Sequence, residues 1–343
     1  PVSDNDGDST GSLDFVVAGS RAALDDEVGY DTLVNTETSR AQSYPDVAGF
    51  SDGSFVAAWN SVRQDGSSKG IFAQRYDANG AKTGGEFLVN TMTRGSQEKP
   101  SVATGSDGRY AVVWQSLGQD GSGWGVYGQM FSSTGPMGEE FLVNQTTRGS
   151  QYLPDVTFLS DGSLAVAWEG RGEGDNSGIF VREFDANGNA TSGEMLVNTF
   201  TSGGQNQPSI AAAEDGAYVV AWDGRGDGDS QGIFMRPMNG TFSETLLVGD
   251  SSKTRKDVSL SSGPNGEMVI AWRERPEVQG GWGTRAMRFD SSAPSNAQEV
   301  IHANQTTRGL QTGTTAAILD DGTLVVGWYG RGEGDRLGVF SRM

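Results

Sequence analysis

A tryptophan that ends a short apolar segment recurs along the chain at nearly constant intervals of 50 to 56 residues. The segments FVAAW, YAVVW, LAVAW, YVVAW, MVIAW and LVVGW end at Trp59, Trp114, Trp168, Trp222, Trp272 and Trp328. A period of this size with four short strands per unit is typical of β-propeller blades. We therefore expect six copies of one supersecondary unit arranged in a ring.

Turn sequences separate the four predicted strands of each unit, as residues 100–144 illustrate. SDG precedes the tryptophan segment and STG follows the third strand, and glycine favours the positive φ of tight hairpins. The segment YAVVW is apolar on both faces, with Tyr110, Val112 and Trp114 on one and Ala111 and Val113 on the other. A strand packed between two neighbouring blades needs this pattern.

The two ends of the chain complement each other. The last unit stops at its third strand, GVFSRM, and the segment DTLVN at residues 31–35 precedes the first unit with nothing to pair with. If the early strand completes the last blade, the ring closes and leaves no open sheet edge. The sequence thus predicts an all-β, six-bladed propeller over residues 31–343, closed by an N-terminal strand.

Residues 1–30 stand outside the repeat and are acidic. Asp4, Asp6 and Asp8 occupy alternate positions, as in calcium loops of the D-x-D-x-D kind, because a hard cation binds several oxygens from one tight turn. Ser9 stands where such loops usually have glycine. A calcium site and a solvated acidic linker are the two interpretations.

Composition excludes several function classes. The chain has 25 basic against 44 acidic side chains, a net charge of −19, which disfavours nucleic acid and anionic membranes as partners. No apolar stretch is long enough to predict insertion into a membrane. His302 is the single histidine and there is no cysteine, so imidazole- and thiolate-based metal centres are not expected.

The second and third units carry the most regular form of the motif. The stretch LVNTMTRGSQEKPSVATGSDGRYAVVWQSLGQDGSGWGVYGQMF resembles a repeat of large secreted bacterial proteins, which often accompanies RTX-type calcium-binding nonapeptides and type I secretion. The resemblance covers residues 31–343 and implies an extracellular or cell-surface adhesion module. The fifth unit departs from the motif, with SSKTRKDVS and RERPEVQGGWG at the corresponding places.

Charged loops should gather on one face of the ring. Antiparallel strand order brings the TTRGSQ loops and the GRGEGDNSG-type loops together, and we call this surface the loop face. Its arginines could pair with loop carboxylates or, if unpaired, bind an anionic ligand. Its carboxylates could instead hold calcium with backbone carbonyls. The arginines are Arg171, Arg225 and Arg331, and the candidate calcium ligands are Asp65, Asp120, Asp175, Asp229 and Asp335.

Two tryptophans break the repeat. Trp124 and Trp282 occupy equivalent loop positions in the second and fifth units, which lie opposite each other in a ring of six. An indole on a glycine-rich loop suits the flat face of a sugar, and packing against a neighbouring loop is the alternative. Arg285 and Tyr127 follow these tryptophans and are further candidates for ligand contact. The repeated glutamines that precede the proline positions are interpreted as structural.

The sequence supports three functions. The first is an extracellular, lectin-like binding module that recognises carbohydrate through the loop face with calcium support. The second is a polysaccharide-degrading enzyme, a lyase or glycoside hydrolase, with its site at the channel mouth. The third is a protein-interaction scaffold. No pair of catalytic residues stands out from the repeated acids.

Overall fold

A computed structural model describes residues 33–213, 216–238, 243–263, 266–276, 281–291, 299–304, 311–319, 321–330 and 338–343. Strands account for its regular structure. The first blade contains β1 (Gln42–Gly49), β2 (Phe55–Val62), β3 (Lys69–Tyr76) and β4 (Lys82–Leu88). The second contains β5 (Gln97–Thr104), β6 (Tyr110–Leu117), β7 (Trp124–Ser132) and β8 (Gly135–Leu142). The third contains β9 (Gln151–Phe158), β10 (Leu164–Gly172), β11 (Asp175–Phe184) and β12 (Met195–Leu196).

The remaining blades follow the same order. The fourth contains β13 (Gln205–Ala212), β14 (Tyr218–Gly226), β15 (Asp229–Pro237) and β16 (Thr245–Val248). The fifth contains β17 (Lys253–Ser262), β18 (Glu267–Pro276), β19 (Gly283–Asp290) and β20 (Ile301–His302). The sixth contains β21 (Gln311–Ile318), β22 (Leu324–Gly330) and β23 (Gly338–Arg342). All neighbouring strands are antiparallel, so the six-bladed β-propeller is as predicted.

The first strands of all six blades surround one central channel. From the second blade to the sixth, the second strand packs its bulky face against the small face of the preceding blade. Trp168, for example, is fully buried in a cluster with Ala111 and Val113 of the second blade. The alternation of large and small residues in the tryptophan segments therefore produces the packing between blades.

The N-terminal segment contacts the first blade as an outer strand would. Asn35 Nδ2 donates to Gln42 Oε1 over 3.2 Å, and the Thr36 N–H donates to Glu86 over 2.6 Å. The residues that follow β4 make the same two contacts with the second blade, from Asn90 to Gln97 and from Thr91 to Glu140. This match supports the predicted role of the N-terminal segment as an outer strand, although residues 33–35 form no strand and the described sixth blade has three strands. Residues 31 and 32 lie outside the described residues.

The described residues include no apolar helix long enough to cross a membrane. Residues 1–30, with the predicted calcium ligands Asp4, Asp6 and Asp8, also lie outside them.

Candidate functional site

A ring of six bulged residues surrounds the mouth of the central channel, a cavity of about 520 Å³. In every blade the pairing of the first two strands shifts register near this position. The bulged residue has φ between +48° and +59°, which is uncommon outside glycine and accompanies a re-aimed side chain. The positions are equivalent but the side chains all differ. They are Tyr44, Lys99, Leu153, Gln207, Asp257 and Gly313.

A second ring is formed by the residue that follows each buried tryptophan. Two of its members, Gln115 and Glu169, accept a hydrogen bond from the bulged residue of the next blade. The Leu153 N–H donates to Gln115 Oε1 over 3.1 Å, and the Gln207 N–H donates to Glu169 Oε2 over 2.7 Å. We call the two rings together the mouth rings. The members of the second ring are Asn60, Gln115, Glu169, Asp223, Arg273 and Tyr329.

A chain of polar contacts links the third, fourth and fifth blades within the mouth rings. Gln207, bound to Glu169 through its backbone, also exchanges two hydrogen bonds with Asp257, of 3.0 Å and 2.9 Å. Asp257 in turn pairs with Arg273, whose Nε lies 2.6 Å from Oδ2. This side of the channel mouth is therefore charged and held in place by three blades.

We call this side of the mouth the charged sector. Asp223 lies in the charged sector, but its Oδ1 atom does not join the hydrogen bonds described above. Its residue is 3% exposed, and Oδ1 has no hydrogen-bond partner among the described residues. The side chain is one methylene shorter than Glu169 at the equivalent position, and the Asp257 N–H donates to Gln207 instead. Burial, followed by the negative charge of Asp257, raises the pKa of Asp223 well above its usual value.

Glu169 has a different environment. Burial raises the pKa of its carboxyl as well, but the hydrogen bond from the Gln207 N–H and the charge of Lys99 act in the opposite direction. Glu169 is also more exposed than Asp223. Two neighbouring carboxyl groups with different environments are the arrangement expected of an acid and a base in one site.

Two further carboxyl groups lie deeper in the channel and tie blades together. Asp155 accepts hydrogen bonds from Ser101 Oγ over 2.8 Å and Ser209 Oγ over 3.0 Å, one from each neighbouring blade. Asp46 accepts from the Val102 N–H over 2.7 Å. Burial raises the pKa of Asp46 to about 7, and the charge of Asp155 adds to the effect. We assign this pair to the packing of the first strands.

Trp282, predicted from the sequence, lies beside the charged sector. The Arg273 guanidinium carbon is 4.4 Å from the centre of its ring, and that of Arg275 is 5.7 Å away. Arg285 is half-buried and belongs to a separate network, with its Nε 3.5 Å from Glu274. Burial lowers the pKa of Arg285. The structure thus brings Trp282, but not Arg285, to the residues of the mouth.

Of the second-blade candidates, Trp124 is half-buried and Tyr127 is buried. Trp124 begins β7, is half-buried and faces Leu117 on the adjacent strand. Its backbone N–H donates to Ser150 Oγ over 3.2 Å. Tyr127 is buried in a hydrophobic cluster with Trp114, and burial raises its pKa to about 12. Tyr127 is therefore a core residue rather than an exposed ligand contact.

Arg171 and Arg225 are not paired with carboxylates among the described residues. Their backbone carbonyls accept hydrogen bonds from Gln151 Nε2 over 3.0 Å and Gln205 Nε2 over 2.7 Å. The glutamines are structural, as predicted, while the expected ion pairs of these two arginines do not form within the described part of the chain. Arg331 lies outside it.

The loop aspartates make turns within their own blades. Asp65, Asp120, Asp175 and Asp229 each accept a hydrogen bond from the backbone N–H two residues later, at 2.8 to 3.1 Å. In the described ranges, no three histidine or acidic side chains form a group suited to a metal ion. Asp335 lies outside those ranges. Calcium binding therefore stays a prediction.

Sequence reasoning missed the mouth residues because they are not a motif. Glu169 and Asp223 occupy one position of the repeat, 54 residues apart, and Asp257 occupies another, 34 residues further along the chain. The residue at each of these positions differs in every repeat. The sequence does carry one signal for these residues: the residue after each tryptophan is neutral in some units, acidic in others and basic in one. Aligning the six units and examining the positions that differ in charge would have found them.

Comparisons with known proteins agree on the fold alone. No protein-family model matches the chain, and no curated protein matches it. A protein of unknown function from Dyadobacter fermentans is similar in structure, with a TM-score of 0.59, 13% identity and coverage of 90% of this chain and 95% of that one. An α-L-arabinofuranosidase from Fusarium graminearum has a TM-score of 0.58, 10% identity and coverage of 90% and 95%.

An α-L-arabinanase from Penicillium chrysogenum, solved with arabinobiose, has a TM-score of 0.54 and 14% identity, and the match covers 88% of this chain and 93% of that one. At such identities the similarity extends to the β-propeller fold and not to individual site residues. The chain is thus a six-bladed β-propeller with a charged, asymmetric sector at the mouth of its channel.

Proposed function

We propose that this protein is an extracellular carbohydrate-active enzyme that cleaves a glycosidic bond at the channel mouth. The observation that carries the proposal is Asp223, a buried carboxyl with a raised pKa and an unpartnered oxygen beside the channel. Such a group stays protonated and is available to donate its proton to a ligand.

Glycoside hydrolysis needs two carboxyl groups in different protonation states. Asp223 would donate its proton to the glycosidic oxygen as the bond from that oxygen to the anomeric carbon breaks. Glu169, more exposed and held by the Gln207 N–H, would act as the carboxylate, either removing a proton from the attacking water or attacking the anomeric carbon itself. Water would then supply the hydroxyl group of the released sugar in both cases.

The structural neighbours support carbohydrate as the substrate class. Two of the similar propellers are an arabinofuranosidase and an arabinanase, and the latter binds arabinobiose. Glu169 and Asp223, two perturbed carboxyl groups in adjacent blades at the mouth, favour an enzyme over a uniform scaffold.

A non-catalytic binding module is the second candidate. Trp282 favours it, because a partly exposed indole near the mouth could stack on a sugar without any reaction. The resemblance to surface-protein repeats supports the same function, which would need no proton donor at Asp223.

Product release from a panel of neutral and acidic polysaccharides tests the proposal. We expect new reducing ends with the wild type, and a loss of about 10²- to 10⁴-fold in turnover for Asp223→Asn, the size of a typical general-acid contribution. Glu169→Gln should show a similar loss. Asp227→Asn, an exposed aspartate in a loop of the same blade, is the control and should keep full activity. Binding without any product in the wild type would favour the binding module instead.

A further inference from the structure

The mouth near the fifth blade carries two cations that form no ion pair with a described carboxylate, although the chain as a whole has a net charge of −19. Lys256 and Arg275 are exposed and form no ion pair among the described residues. Lys256 lies on β17, where it precedes Asp257 and pairs with Arg273 across the two strands. Arg275 lies on β18, two residues after Arg273. A local excess of positive charge in an acidic protein indicates an anionic partner.

The carboxylates of the same region are already engaged. Asp257 binds Arg273 and Gln207, and Glu274 lies 3.2 Å from Arg255 and 3.5 Å from Lys253. Asp257 and Glu274 are thus neutralised within the protein, whereas the two cations form no ion pair with a described residue. Burial also raises the pKa of Asp223, which reduces the negative charge that this group would set against an anion.

Trp282 supplies the apolar part of the same surface. The Arg275 guanidinium lies 5.7 Å from the centre of its ring, so a flat ligand on the indole would place a substituent within reach of the guanidinium. A guanidinium binds planar anionic groups with two parallel hydrogen bonds. The combination of an indole, a guanidinium and an ammonium group fits a sugar that carries an acidic substituent.

We infer that the ligand of the channel mouth is an anionic polysaccharide, and that Lys256, Arg275 and Trp282 form the subsite that binds its carboxylate or sulfate groups. The inference rests on the proposed function in taking a polysaccharide as the ligand. It goes further in naming the charge of the sugar and the residues that select it. Binding of the anion to Lys256 would also reduce the effect of that ammonium group on Asp223 and keep the acid protonated.

Calorimetric titration with three oligosaccharides of matched length tests the inference: an oligogalacturonate, a sulfated galactan fragment and a neutral arabino-oligosaccharide. We expect at least one of the two anionic ligands to bind tighter than the neutral one, with an affinity that falls as salt is raised from about 50 to 200 mM. The carboxylated and sulfated arms identify which anionic group the subsite takes.

The variants Arg275→Gln and Lys256→Gln should each weaken anionic binding by about 10-fold or more, as expected when a charge-assisted hydrogen bond is lost. Neutral binding should not change. Arg94→Gln, an exposed loop-face arginine at the second blade, on the opposite side of the ring, is the matched control and should bind normally.

The outcomes separate this inference from the proposed function. If the neutral oligosaccharide binds as tightly and is cleaved, the anionic subsite is wrong and the hydrolase proposal stands. If an anionic ligand binds through Arg275 but is never cleaved, the subsite stands and the hydrolase proposal is wrong. An unchanged dissociation constant in Arg275→Gln, or no binding of either anion, would overturn the inference.

Discussion

The second and fifth blades lie opposite each other and share a loop tryptophan, yet three equivalent buried or half-buried positions hold chemically different side chains in the two blades. In the second blade Gln97 Nε2 donates to Ser116 Oγ over 3.3 Å, and the aromatic ring of Tyr127 packs against Trp114. In the fifth blade these three positions hold Arg255, Glu274 and Arg285. A neutral hydrogen bond and an aromatic ring are thus replaced by ions.

The fifth-blade ions form one network. Arg255, which is 2% exposed, lies 3.2 Å from Glu274 and 3.8 Å from Asp229 of the fourth blade. Arg285 and Lys253 each lie 3.5 Å from the same glutamate. The comparison indicates that a blade can hold charged residues at these positions when all of them are replaced together, because a buried charge is stabilised only by its partners.

Removing one member of the ionic set should have the largest effect on stability. Glu274→Ala leaves Arg255 buried without its main partner, and we expect a loss of about 3–5 kcal/mol in the free energy of unfolding. Denaturant unfolding measures it. The control is Glu98→Gln, which breaks the more exposed pair with Lys69 and should cost less than about 1 kcal/mol. Equal losses would show that burial of the network is unimportant.

Copying the second blade into the fifth sharpens the comparison. The triple variant Arg255→Gln, Glu274→Ser, Arg285→Tyr replaces the ions with the neutral set, and we expect it to recover most of the stability that Glu274→Ala loses. Thermal and denaturant unfolding of the two variants would be compared directly. A triple variant as unstable as the single one would mean that the two sets are not interchangeable.

Both blades share an asparagine after the outer strand, and here they should behave alike. Asn144 Oδ1 accepts from the Val126 N–H and Asn304 Oδ1 from the Thr284 N–H, each over 2.7 Å. Replacing either by alanine leaves a buried N–H unpaired, so we expect a loss of about 1–3 kcal/mol in both. Unfolding free energies that differ by more than this range would show that the shared contact depends on its blade.

The smallest expected effect concerns the oligosaccharide affinity of variants at the two loop tryptophans, Trp282 and Trp124. Trp282→Ala is expected to weaken the binding of the oligosaccharide identified by calorimetry by up to about 10-fold, since an aromatic contact contributes about 0.5–1.5 kcal/mol. Trp124→Ala should change the dissociation constant little, because no mouth residue contacts its ring among the described pairs. Equal effects in the two variants would place a second sugar contact on the second blade.

The repeat made the architecture predictable and the site less so. Tryptophan spacing and the alternation of Ala111, Val113 and their bulky neighbours fix the blades, because packing between blades repeats with the sequence. The bulge that turns Lys99 and Asp257 into the mouth has no simple sequence signal, since it depends on a register shift between two strands.

Two predictions from the loops had more than one physical solution. An aspartate such as Asp120 suits a calcium ion or a turn, and only its distance from the Ser122 N–H shows that it makes a turn. Arg225 could pair with a carboxylate or stay unpaired, and an exposed charge on a long side chain loses little by remaining in water. Asp223 was missed because its burial arises from contacts between blades that lie far apart in the sequence.

The most direct test of the account is a carbon-detected NMR titration of the Asp223 carboxyl group in the intact protein. We predict that it stays protonated well above the usual aspartate range, because burial and the charge of Asp257 oppose its ionisation. A midpoint near 3.9, the ordinary value for an exposed aspartate, would contradict the account, since the proposed proton donor would then be ionised at neutral pH.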